Sequence, residues 1–131
     1  MPNSSLKMRP LFISLLALVF IVLPTVTQAD DKTPKYTVEE IMKALHKGDD
    51  SVGKKVLNGK GTQADFDKLV EYYTSLPLND APQGDPAGWK QKTTAVLNAA
   101  QALKDGKPGA LAQYTKAVSC KDCHSVYRPQ D

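Results

Sequence analysis

The chain has two cysteines and two histidines in 131 residues, so thiol or imidazole chemistry is confined to Cys120, Cys123, His46 and His124. No apolar run reaches the ~20 residues a helix needs to cross a bilayer. The longest, Leu11 to Leu23, has 13 residues and is interrupted only by Ser14. No stretch alternates as a strand would, and no internal repeat stands out. Lys and Arg nowhere cluster into the one-sided footprint that nucleic acid requires, so a nucleic-acid partner is not expected. No nucleophile stands beside a base and no paired carboxylates share a helix face, so the chain does not read as an enzyme. Asp30–Asp31 and Asp49–Asp50 read as solvated turn charges.

What is present begins with a leader. Lys7 and Arg9 give a basic start, the apolar run follows, Pro24 breaks it, and "TVTQA" ends on the small residue Ala29. This is the pattern of a secretory signal peptide over residues 1–29, with an uncleaved N-terminal anchor as the alternative. Cleavage leaves one domain, residues 30–131, exported to the periplasm and no longer in the membrane. Lys7 and Arg9 leave with the leader, so 15 basic residues face 14 acidic ones and the net charge falls from +3 to +1. A domain this small is often helped by a disulfide, a metal or a cofactor.

Export sharpens the meaning of "SCKDCHSVYR", Ser119 to Arg128. Outside the cytoplasm a C-x-x-C pair is a disulfide, half of a zinc site or a redox dithiol. The histidine directly after the second cysteine points elsewhere, to covalent haem c. Two thiols separated by two residues on a helical turn match the spacing of the porphyrin's vinyl groups. The next residue then points under the ring and offers its imidazole to iron. Cys120 and Cys123 are thus the expected haem anchors and His124 the expected proximal ligand. A Cys2His2 zinc site is arithmetically open, but His46 stands alone in the sequence where zinc histidines usually come paired. A thioredoxin-like dithiol would follow a strand, and none is found.

The rest of the domain reads as helices. Thr37 with Glu40 forms a capping box, and Val38, Ile41, Met42 and Leu45 share one face behind it. "DDSVGKKVLNG" is a short continuation with Val52, Val56 and Leu57 inward, weakened by Gly53. Thr62 caps a second helix carrying Phe66, Leu69, Val70 and Tyr73. Pro77 to Gly88, with three prolines and two glycines, is a loop. Asp85-Pro86 caps a longer third helix with Trp89, Thr93, Val96, Leu97, Ala100 and Leu103 inward, ended by Gly106. A fourth starts at Pro108, buries Leu111, Tyr114, Ala117 and Val118, and runs on into Cys120 to His124. Four main helices with short to moderate links and no strand predict an all-α antiparallel four-helix bundle with haem c on the C-terminal helix.

"CKDCHSVYR" resembles the C-x-x-C-H-x-x-Y-R ending of cytochrome c′, and the block from Gly88 to Arg128 is similar to that family's third and fourth helices. "VLNGKGTQADFDK" resembles the link between its first and second. The resemblance covers most of Thr37 to Arg128 and is loose in the first helix. It implies an exported bundle in which Cys120 and Cys123 hold haem and His124 binds iron. It also implies that Arg128 lies on the proximal side, against the plain alternative of a solvated helix-end cation. It further implies a homodimer through the first two helices, which the short first helix here argues against.

The opposite face of the iron decides the function. Residues 30–131 hold one methionine, Met42, and one spare histidine, His46. They are one helical turn apart, about 6 Å along the axis, so only one of them can bind. Met42 falls roughly where the resemblance puts the distal residue. Met42 as a core gap-filler and His46 as an exposed helix-end histidine are the alternatives. A protein ligand there makes an electron carrier working between redox partner proteins. An open site makes a five-coordinate binder of NO or CO. A third reading drops haem for a secreted helical module closed by a Cys120–Cys123 disulfide.

Overall fold

Three helix starts are written in local chemistry. In a computed structural model describing residues 33–130, helix α1 (Val38–His46) opens where Thr37 Oγ1 accepts from Glu40 N–H at 3.2 Å, while Glu40 Oε2 accepts from Thr37 N–H at 2.8 Å. The leader and its cleavage point lie outside the described residues. The α3 helix (Gln63–Tyr73) repeats this capping box with Thr62 and Asp65. Between them a short α2 (Val52–Leu57) follows Ser51. Leu76–Leu78 form one 3-10 turn. Asp85 caps α4 (Pro86–Lys104) through Gly88 N–H, with proline in the first turn, where its missing N–H costs nothing.

The expected last helix is two. After α5 (Ala110–Ala117) the backbone leaves the helical region at Val118 and Ser119, and α6 (Cys120–Tyr127) restarts from Ser119. Ser119 stands at the N-cap position without a side-chain cap hydrogen bond, and an apolar pattern running up to the break hides it. Leu111, expected inward, is exposed.

The elements among the described residues are all helical, six α-helices and the 3-10 turn. The core joins Ile41 and Leu45 of α1, Val52 and Val56 of α2, Leu69 and Tyr73 of α3, the small inward face of α4, and Tyr114 of α5. Ser75 Oγ accepts from Lys35 and Tyr36 N–H and ties the approach to α1 onto the end of α3. Trp89 buries its ring and donates its indole N–H to Asn79 C=O at 2.8 Å. Unlike the other α-helices, α6 buries no residue. Its C-terminal end is held by Tyr127, packed edge-on against Trp89 with ring centres 5.3 Å apart, and by Gln83, whose amide donates to the carbonyls of Val126 and Arg128. Among the described residues no helix is long and apolar enough to cross a membrane.

Candidate functional site

The inner side of α6 faces a cavity of about 840 Å³. Its floor is Tyr73, Leu76, Trp89 and Val96, its near wall α6, and its far wall α1. Every residue singled out above lines it: Cys120, Cys123, His124 and Arg128 from α6 and its C-cap, Met42 and His46 from α1. Residues nearly eighty positions apart thus face one cavity whose floor comes from α3, α4 and the 3-10 turn.

Within α6 the helix places Cys120 in its first turn, exposed, and Cys123 one turn inward, half-buried. Both are free thiols. Burial pushes the Cys123 thiol up, against a smaller opposing pull from the Lys92 charge. His124 is exposed on the cavity rim. Arg128 stands at the rim and makes no ion pair among the described residues.

On α1 the two candidates differ. Met42 is half-buried and packs against the core beside the cavity. His46 turns inward instead of lying exposed at the helix end. Its Nε2 is 2.7 Å from Tyr73 Oη, and Tyr73 Oη is 3.1 Å from Tyr114 Oη. Burial, and next the His124 charge, hold the His46 pKa below its ordinary value, so the ring is neutral near pH 7. Burial drives the Tyr73 phenol well above its ordinary range and pushes Tyr114 up to about 12, so both stay protonated. A His-Tyr-Tyr chain therefore borders the cavity as a neutral hydrogen-bonded string.

Sequence reasoning takes Tyr73 and Tyr114 as plain core. The signal is there: a tyrosine whose ring is fully buried must still find a partner for its hydroxyl. His46 is among the few side chains that can supply one. The sequence also offers no sign that Gly84 and Gly88 leave bare Cα atoms against the Tyr127 ring. Among the described residues no group of three His, Cys, Asp or Glu side chains is placed to hold a metal ion.

No protein-family model, no curated protein and no solved structure matches the chain.

Proposed function

We propose that the chain is an exported monohaem c-type cytochrome, similar to cytochrome c′, that carries single electrons between redox partner proteins. The observation that carries this reading is that C-x-x-C-H lies along one wall of a cavity with an unattached methionine on the opposite wall. The cavity falls within the ~300–1,000 Å³ usual for cofactor pockets, and its walls are almost wholly apolar. A flat apolar group with one metal at its centre suits such walls. In the same reading, α1, α3, α4 and α5 with α6 are the four antiparallel members of a bundle, with α2 in the link.

Cys120 and Cys123 would hold the group through thioether bonds, and His124 would offer its imidazole from the same helical turn. Haem supplies a one-electron couple that no side chain here provides. Met42 is favoured as the second residue that would hold the iron, because Nε2 of His46 is taken up by Tyr73. Methionine opposite histidine raises the potential of the iron. The core residues Leu76, Trp89 and Val96 would keep water from the buried side, and the rim of α6 would leave an edge for electron exchange.

The test is production of the full chain in a bacterium with and without c-type maturation. The expected product is red, keeps its haem on a denaturing gel, and loses it in Cys120→Ala or Cys123→Ala. Its reduced spectrum should be low-spin and unchanged by CO. A high-spin spectrum that shifts on CO addition would replace the electron carrier with the gas binder. A colourless product refutes haem altogether.

A further inference from the structure

His46 sits in a slot built from four helices. On one side Tyr73 of α3 brings its hydroxyl to 2.7 Å from Nε2, and Tyr114 of α5 fixes that hydroxyl from 3.1 Å. The two rings, His46 and Tyr73, lie stacked with centres 6.0 Å apart. On the other side is Gly53 of α2. A Cβ there would lie 2.6 Å from His46 Nδ1 and 2.8 Å from Cε1, so the imidazole fits only because residue 53 has no side chain. Gly53 is buried and its φ is not positive, so backbone conformation does not demand glycine here. The space does.

This seat ties up Nε2 in either tautomer. If Tyr73 O–H donates, the Nε2 lone pair is used. If Nε2–H donates, no lone pair remains there. Nδ1 lies on the side of Gly53 in α2, away from Tyr73. Met42, one turn earlier on the same helix, carries no such restraint and keeps its sulfur free beside the cavity.

We propose that Tyr73, braced by Tyr114 and Gly53, is a positioning residue that withholds His46 from the cavity and so leaves Met42 as the partner opposite His124. This rests on the haem reading above. It adds to it a specificity determinant outside the motif: a hydroxyl on α3 chooses between two α1 side chains and thereby sets the potential of the centre.

The experiment compares wild type, Tyr73→Phe, Met42→Ala, His46→Ala and the Tyr73→Phe/His46→Ala double variant, all matured in the same host. Near-infrared charge-transfer bands and magnetic circular dichroism report the axial pair. In wild type the spectrum should change with Met42→Ala and stay unchanged with His46→Ala. Tyr73→Phe, which removes one oxygen and keeps the ring, should convert the signature to bis-histidine and lower the potential. Adding His46→Ala should abolish that conversion. A second readout uses the chain made without maturation. Carbethoxylation of His46 by diethyl pyrocarbonate should quicken by about tenfold in Tyr73→Phe, the scale of one lost hydrogen bond. A wild-type spectrum that moves with His46→Ala overturns the proposal, as does a Tyr73→Phe spectrum and His46 reactivity both equal to wild type. A colourless product in every variant refutes the haem reading itself, which is a different outcome from a red product with histidine already on the iron.

Discussion

The attachment of α6 to the rest of the domain turns on one atomic fit, and a double-mutant cycle can measure it. Tyr127 lays its ring over Gly84 and Gly88. A Cβ at residue 88 would stand 2.7 Å from Tyr127 Oη and 3.0 Å from Asp85 Oδ2. Such a contact has to open by several tenths of an ångström, so Gly88→Ala lifts the phenol off α4. Overpacking of this kind costs ~1–3 kcal/mol. Replacing a helical glycine by alanine returns up to ~1 kcal/mol. The single variant should therefore lose about 1 kcal/mol. Tyr127→Phe deletes the offending oxygen, which has no hydrogen-bond partner among the described residues, and should cost little alone. With Tyr127→Phe already in place, only the 3.0 Å approach to Asp85 Oδ2 is left to relax, and the propensity gain remains. The two substitutions should then couple by about 1–2 kcal/mol, well beyond the ~0.3–0.5 kcal/mol scatter of independent sites. Urea unfolding of the four proteins measures the coupling. Hydrogen exchange of the α6 amides locates it, because α6 should open about tenfold more often in Gly88→Ala for each ~1.4 kcal/mol lost. Strict additivity, or a Gly88→Ala protein more stable than wild type, would refute the fit.

Two buried serines should behave oppositely. Ser51 precedes α2 as its N-cap, yet its hydroxyl is buried without a hydrogen-bond partner, so Ser51→Ala should be neutral or stabilising in thermal unfolding, where an N-cap serine ordinarily costs ~1 kcal/mol to remove. Ser75 Oγ accepts from two backbone N–H groups at 3.1 and 3.2 Å, so Ser75→Ala should cost ~1–3 kcal/mol and free Lys35 and Tyr36 to exchange their amide protons. The α3 cap supplies a pH dependence. Hydrogen bonds from Thr62 N–H and Oγ1–H hold the Asp65 carboxyl below its ordinary value of 3.8, so its contribution is complete above that value and is lost as pH falls through the lower folded value. Thr62→Ala should cost ~1 kcal/mol near neutrality and flatten this acid limb, as read from stability measured down to about pH 2.

Helix starts are legible in the sequence because their causes are local. Thr37 with Glu40, Thr62 with Asp65, and Asp85 before Pro86 each close their own hydrogen bonds within three residues, and the structure keeps all three. The inward faces of α1, α3 and α4 follow from periodicity for the same reason. The break between α5 and α6 is not legible. Tyr114, Ala117 and Val118 keep a helical period straight through it, and two backbone torsions at Val118 and Ser119, not composition, turn the chain. His46 escapes sequence reasoning because its environment is set by Tyr73, 27 residues away, whose hydroxyl outweighs the helix-end preference for an exposed cation. The six candidate positions themselves are legible, since Cys120, Cys123 and His124 form a motif and Met42, His46 and Arg128 follow from counting and resemblance. That all six border one cavity is not, because it depends on tertiary packing that brings α1 and α6 to a floor made by α3 and α4.

The unequal support of α6 along its length bears on the proposed role. Eight residues are too few for a helix to persist by itself in water, where ~12–15 are marginal. Tyr127 and Gln83 brace its last turn against α4 and the loop before it. Its first turn, which carries Cys120 and Cys123, meets the core through the half-buried Cys123 and otherwise borders the cavity. Such an arrangement makes sense if the inner side of that turn is completed by a group added after the chain emerges. The thiols would then stay accessible for attachment while Tyr127 anchors the helix that carries His124. Burial of the motif by protein alone would give a firmer helix and close the site to haem, so the weak packing of α6 belongs with the function proposed for it.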